Sequence, residues 1–166
     1  YVKAVEGTSA QITDTRATTP GLRPLERYAV ELGGGYNNRF GLDDGVVVTS
    51  NHISILGSVA GAVKSAKEKL GYLHKVAVEV ASENDVREAI DAGADAVVIE
   101  ELGAKEFARV AASARELSSA ITIACAGKIT PENVREYADA GAQLIRIEAL
   151  TNAAPAANIS FKVQPF

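Results

Sequence analysis

This sequence predicts an α/β fold of parallel strands arranged as an incomplete six-stranded barrel, on three observations. The stretch from Val86 to Leu102 aligns without gaps on the stretch from Val134 to Leu150, so one αβ unit is written twice. Around these copies, helical segments alternate with short apolar runs, the rhythm of a sheet whose parallel strands are joined by helices. The chain has 166 residues, whereas a closed eight-stranded barrel normally needs ~250.

In chain order, Tyr1 to Val5 reads as the end of a helix. With no methionine anywhere, even at position 1, the expectation is that the beginning is missing. Ala10 to Thr13 reads as a strand, Leu22 to Leu32 as a helix and Val46 to Val48 as the second strand. A helix near Ser58 to Lys69 leads to a strand at Val76 to Val80. In the first repeat, Ser82 opens a helix, Gly93 closes it as a left-handed cap, and the apolar run near 95–99 is the fourth strand. Lys105 to Leu117 reads as a helix and 121–125 as the fifth strand. In the second repeat Thr130 stands for Ser82, Gly141 for Gly93, and the sixth strand falls near 143–147. Ile159 to Gln164 alternates like an edge strand and is expected to pack outside the barrel. The whole chain, 1–166, reads as one TIM-like α/β domain, open rather than closed, with an open doubly wound sheet as the alternative.

Composition narrows the function classes. Seventeen Lys and Arg against 21 Asp and Glu give a net charge of -4, with no basic run or aromatic-interleaved basic stripe, so nucleic acid is not an expected partner. Apolar stretches such as Val46 to Val48 and Ala94 to Ile99 are too short to span a bilayer, and no signal pattern opens the chain. A cytoplasmic protein without a membrane partner is expected. Cys125 is alone, which excludes an internal disulfide and a cysteine zinc site, and reads as a small buried apolar residue.

Ligands of parallel α/β folds bind at the carboxyl ends of the strands, and here those ends are charged. Arg16 follows the first strand, Thr49, Asn51 and His52 the second; Glu79 ends the third, and Glu100 and Glu101 the fourth. Cys125, Gly127 and Lys128 follow the fifth, and Arg146 and Glu148 end the sixth. Like charges crowded on one rim repel and lose hydration, so such a cluster points to a small-molecule site at the barrel mouth. The plainer alternative pairs Glu100 and Glu148 with Lys128 and Arg146 as solvated salt bridges. Gly33-Gly34-Gly35 ahead of Arg39 reads equally as an amide cradle for an anion or as a helix cap and turn. His52 reads more readily as a capping loop residue than as a catalytic or metal-binding one.

Taken together, Asp14-Thr15-Arg16, Thr18-Thr19-Pro20-Gly21-Leu22-Arg23, Gly33-Gly34-Gly35-Tyr36-Asn37, Arg39-Phe40-Gly41-Leu42 and Asn51-His52 resemble the barrel domain of quinolinate phosphoribosyltransferase. The resemblance continues through Val78-Glu79-Val80, Ile129 to Val134 and Ala149-Leu150-Thr151, nearly the whole chain. It implies an open six-stranded barrel and homodimers whose sites borrow residues from the neighbour. It also implies a reaction of quinolinate with phosphoribosyl pyrophosphate and magnesium, releasing carbon dioxide and pyrophosphate. From the strand ends and the glycine run, Arg16, Arg39, Asn51, His52, Gly127, Arg146 and Glu148 are candidate substrate-binding positions and Glu79, Glu100 and Lys128 candidates for catalysis; the resemblance implies that Arg16, Arg39, Glu79 and Glu100 bind substrate and metal. The family's N-terminal domain has no counterpart in the sequence.

The departures gather at the strand ends. The family's Asp-Thr-Arg-Lys becomes Asp14-Thr15-Arg16-Ala17, its Asn-His-Arg becomes Asn37-Asn38-Arg39, and its Ile-Lys-Asp-Asn-His becomes Val48-Thr49-Ser50-Asn51-His52. Its Glu-Val-Glu-Val is Ala77-Val78-Glu79-Val80, its Leu-Asp-Asn is Ile99-Glu100-Glu101, and its Ser-Gly-Gly is Ala126-Gly127-Lys128. Glu148 stands where the family has a phosphate-side glycine; at ~4 Å and an effective dielectric of ~20 its repulsion of a unit anion is ~4 kcal/mol. Scaffold kept and pocket replaced together imply a repurposed site with the family's activity lost, by divergence or, the reading preferred here, by deliberate redesign of a trimmed barrel. Two further expectations stand beside this one. The mouth is a new catalyst using a rim carboxylate as base, or a desolvated Lys128 as Schiff-base nucleophile; or the barrel is a scaffold that binds nothing. No cofactor is expected except magnesium, should the family's activity survive.

Overall fold

β-branched and alanine residues fill the six apolar runs, and each run becomes a strand. The structure, a computed structural model, describes residues 1–164. After a 3₁₀ turn at Val2–Val5 the chain forms β1 (Gln11–Thr13), α1 (Arg23–Leu32), β2 (Val46–Val48), α2 (Ser50–Leu56), α3 (Val59–Lys69) and β3 (Val76–Val80). It continues through α4 (Glu83–Asp91), β4 (Ala96–Glu100), α5 (Ala104–Leu117), β5 (Thr122–Ala126), α6 (Val134–Asp139), β6 (Leu144–Arg146) and α7 (Ala149–Asn152).

All strand pairs are parallel and the order is β1-β6-β5-β4-β3-β2, leaving β1 and β2 as edges. The barrel is therefore open. The segment after α1 partly covers the seam: the Tyr36 N–H donates to the Ile12 carbonyl at 2.8 Å, and the Asp14 N–H donates to the Tyr36 carbonyl at 3.1 Å. Glycine is required on that return path, because a Cβ on Gly35 would sit 2.9 Å from Val30 Cγ1 and 3.3 Å from its carbonyl.

Alternation divides each strand between two environments. Val76, Val78, Val80, Val97, Ile99, Ile123, Cys125 and Ile145 face the helices and are buried against residues such as Val63, Val86, Phe107 and Val134. Each large side chain so covered contributes about 1.5–3 kcal/mol. Phe107 and Tyr137 pack edge to face at 5.8 Å, and the Tyr137 hydroxyl donates to the Leu102 carbonyl at 2.9 Å. The opposite set, including Ala77, Glu79, Val98, Glu100, Leu144 and Arg146, faces the barrel interior and mouth.

The two repeats share a register device. Asp95 Oδ2 accepts the Val76 N–H at 2.8 Å, and Gln143 Oε1 accepts the Ile123 N–H at 2.8 Å, so each residue leading into a strand ties down the neighbouring strand. Gly93 and Gly141 take φ of 90° and 98° just past the helix ends, as their caps require.

Three expectations change. Thr130 does not cap α6 with its side chain: its N–H donates to Asn133 Oδ1 at 2.8 Å, and a turn at Pro131 delays the helix to Val134. Residues 50–56, for which the sequence predicts no element, form α2, started by a capping box in which the Thr49 N–H donates to His52 Nδ1 at 3.0 Å, so His52 does cap, within a helix rather than a loop. Ile159 to Gln164 forms no strand and lies exposed, pairing with neither edge of the sheet. Among the described residues no helix is long and apolar enough to cross a membrane.

Candidate functional site

Strand direction brings Glu79 at the end of β3, Glu100 at the end of β4 and Arg146 at the end of β6 to one mouth. Arg146 Nη1 lies 3.5 Å from Glu79 Oε1 and 3.9 Å from Glu100 Oε1, bridging both carboxylates. Burial, reinforced by the charge of Glu79 and opposed by Arg146, raises the pKa of the Glu100 carboxyl. Arg39 arrives from the seam, anchored by its Nη1 on the Gly45 carbonyl at 2.6 Å. Its pKa is lowered by burial and by the positive charges of Arg16 and Arg146, so three guanidinium groups share the mouth. Neither Arg16 nor Arg39 has a carboxylate within 4.0 Å among the described residues, and Arg16 Nε and Arg146 Nε are buried without hydrogen-bond partners. Donors held this way await an acceptor.

Residues outside the expected set hold this arrangement. Asp14, fully buried, accepts the Asn38 N–H and lies 3.8 Å from Arg27 Nη1, which itself donates to the Asn38 carbonyl at 2.6 Å. Burial raises the Asp14 pKa, against the Asn38 hydrogen bond and the Arg27 charge. Arg23 ties the loops together, donating to Thr18 Oγ1 at 2.9 Å and to the carbonyls of Phe40 and Arg16 at 3.3 Å each. The sequence signal for Asp14 was a carboxylate continuing an apolar run; on its own it does not separate a positioning role from a rim charge.

Beside the arginines, a cavity of about 360 Å³ is lined by Glu100, Gly127, Lys128, Arg146 and Glu148 among others. Gly127 has φ of 133°, and a Cβ there would lie 3.2 Å from the Glu101 backbone nitrogen, so the ends of β4 and β5 approach closely. Glu101 is the one non-glycine residue of the described chain with positive φ, at 57°. Lys128 and Glu148 are exposed, and Lys128 makes no ion pair within 4.0 Å among the described residues. The expected pairing of Lys128 with a rim glutamate is thus replaced by Arg146 alone serving Glu79 and Glu100, and an exposed Lys128 lacks the desolvation a Schiff-base nucleophile needs. Exposure also screens Glu148, reducing its repulsion of an anion toward the ~1 kcal/mol of a pair in water.

Asn51 and His52 stand apart, exposed on the first turn of α2, and line neither this cavity nor the barrel interior. The amides of Gly33, Gly34 and Gly35 donate to carbonyls of Ala29, Glu31 and Val30 at 2.9–3.0 Å, so the glycine run is a cap and turn rather than an anion cradle. Cys125 is buried and its thiol is pushed up to about 12 by burial.

Residues 1–162 match the C-terminal domain of quinolinate phosphoribosyl transferase. The chain belongs to that family. It is 37% identical over 165 residues to a probable carboxylating nicotinate-nucleotide pyrophosphorylase of Bacillus subtilis, covering 98% of this chain and 55% of the relative. The rat nicotinate-nucleotide pyrophosphorylase is 32% identical over 157 residues, covering 95% and 52%. The solved structure of NadC from Streptococcus pyogenes superposes with a TM-score of 0.89, at 31% identity over 98% of this chain and 56% of that one. The chain spans about half the length of the curated relatives it matches.

The magnesium implied by the family finds no resident cage here. Among the described residues no three His, Cys, Asp or Glu side chains gather around one point, and Glu79 and Glu100 are both engaged by Arg146. The residues present do not fit a protein-held cation.

Proposed function

We propose that this quinolinate phosphoribosyltransferase-type barrel binds a small carboxylate at Arg16, Arg39 and Arg146, in a repurposed pocket that no longer sustains phosphoribosyl transfer. The observation that carries the reading is that Arg16 and Arg39 share the mouth with Arg146 yet have no carboxylate within ion-pair distance among the described residues. Charge-assisted bonds to an incoming carboxylate satisfy the buried N–H groups and relieve the repulsion among the guanidinium groups. On the phosphate side the pocket is less suited, because Glu148 adds negative charge to the cavity of Gly127; Ala17 and Asn38 stand where the resemblance implies two groups that bind the substrate's carboxylates, so the three arginines are left to hold the acid. Whether the replacements arose by divergence or by design, their grouping at the strand ends supports the same functional reading.

Calorimetry of quinolinate against the chain tests the first half: saturable binding is expected, reduced at least about tenfold, about 1.4 kcal/mol, by Arg39→Gln. Incubation of quinolinate with phosphoribosyl pyrophosphate and magnesium tests the second: nicotinate mononucleotide should not rise above background. Turnover at a family-like rate would sink the claim of repurposing, and binding that ignores Arg39→Gln would sink the carboxylate site.

A second reading has one observation in its favour. Glu100, its pKa raised by burial and by Glu79 beside the arginines, is placed to take a proton from an acid held there.

A further inference from the structure

The interior of a closed α/β barrel is normally filled by layers of bulky branched side chains. Here the inward positions below the charged layer are small: Ala77 sits two residues before Glu79, Ala96 and Val98 precede Glu100, and Ala124 lies opposite Leu144 on β6. A cavity of about 350 Å³ results, lined by Arg39 and Arg146, by these inward residues and by Tyr36 and Asn37 of the segment that covers the seam. Aliphatic side chains make up its walls on the β2 to β6 side. An aliphatic cavity of about 150 Å³ takes benzene, so this space suits a larger ring system. One further group on its wall bears on the ligand: Asn37 Oδ1 is buried with no hydrogen-bond partner, while its Nδ2 is engaged by Glu31. That leaves a buried acceptor without a partner on a residue that lines the cavity, where two guanidinium groups also stand.

We propose that this bore receives the body of a bicyclic aromatic monocarboxylate bearing a ring N–H, with its carboxylate on Arg39 and Arg146 and its N–H toward Asn37. The inference rests on reading the mouth as a carboxylate site and adds the class of molecule it takes. A second carboxylate is disfavoured, since Glu79 and Glu100 flank Arg146. A second ring is favoured, since water in an alanine- and valine-walled bore has few polar partners there and is readily displaced.

Calorimetric titration of the whole chain with quinolinate, benzoate and indole-2-carboxylate separates the two layers of the argument. Indole-2-carboxylate should bind at least about tenfold tighter than benzoate, about 1.4 kcal/mol. Ala124→Leu, which fills the bore, should erase that preference. Thermal melting checks that the variant folds, and Ala96→Val serves as the milder filler if it does not. Binding of the small acids with no gain from the second ring overturns the bore assignment alone, as does a preference that survives both fillers. Failure of all three acids to bind removes the carboxylate mouth and the bore assignment with it.

Discussion

The two copies of the repeated unit are built alike and end differently. Position by position, Asp95 corresponds to Gln143, Val98 to Arg146, Glu100 to Glu148 and Glu101 to Ala149. Where the copies enter their strands, both use a side-chain oxygen to hold the neighbouring strand's N–H, at 2.8 Å in each case. Where they leave, β4 extends to Glu100 and carries that carboxylate into the mouth, whereas β6 ends at Arg146 and Glu148 stands exposed at the start of α7. The entry of a parallel strand thus serves the scaffold and its exit serves the pocket. Alignment of the copies identifies equivalent backbone positions without identifying equivalent roles.

The largest expected effect probes the shared entry. Asp95 accepts from Lys67 Nζ at 2.6 Å as well as from Val76, while the Gln143 carbonyl oxygen holds one backbone N–H. Bonds to a charged acceptor contribute more than neutral ones, so urea unfolding should show Asp95→Ala costing about 3 kcal/mol and Gln143→Ala about 1–2 kcal/mol. Equal losses would mean that the carboxylate adds nothing over the amide. Acid should reveal the same asymmetry. Burial favours the neutral form of Asp95, but the Lys67 and Val76 hydrogen bonds and the charges of Lys67 and Lys75 outweigh it and hold its pKa below the ordinary value. A depressed folded pKa means stability present above the unfolded pKa, about 3.9, and lost as pH falls through the folded one. Asp95→Asn should flatten that acid limb, and no Gln143 substitution should.

The next effect lies at the exits. Glu148→Gly removes one exposed charge from the cavity beside Gly127. Pyrophosphate affinity should rise about fivefold to tenfold, about 1 kcal/mol, in low-salt calorimetry, with the gain shrinking as salt is added. An unchanged affinity would show that the Glu148 charge does not reach an anion in this cavity. A smaller gain is expected in stability from Glu101→Asn. Glu101 occupies the left-handed region at φ 57° while its counterpart Ala149 lies in α7, and asparagine tolerates that region better than glutamate. The variant should be about 0.5–1 kcal/mol more stable by urea unfolding, whereas Ala149→Asn should gain nothing.

Much of the scaffold was legible because glycines and alternation mark it locally. Gly93 and Gly141 end two helices, and six apolar runs become six strands. α2 was illegible because Thr49 to His52 carries no apolar periodicity, and its capping box uses His52 where Glu or Gln is the usual signature. Ile159 to Gln164 failed in the opposite sense: alternation describes the two faces of a strand but says nothing about a free edge to pair with. At the site, strand-end logic brought Glu79, Glu100 and Arg146 together, yet the positioning roles of Asp14, present only as part of a motif, and of Arg27 were not legible, because their work is done through the Asn38 backbone, 24 and 11 residues away.

The finest test of the comparison is the protonation of its two glutamates. Glu100, half-buried beside Glu79, has its pKa raised by burial first and then by that neighbouring charge, with Arg146 opposing. A carboxyl whose folded pKa exceeds its unfolded one contributes stability that is complete below the unfolded pKa, about 4.3, and is lost as pH rises through the folded pKa. Stability should therefore decline over a window beginning near pH 4.3, and Glu100→Gln should remove the decline. The same substitution takes one negative charge from the mouth while Arg146 keeps Glu79, so quinolinate should bind severalfold tighter above the window and gain little below it, where Glu100 is already neutral. Glu148→Gln, at the equivalent but exposed position, should leave the stability profile unaltered. If both variants change the profile alike, the two exits share one environment, and the separation of their roles fails.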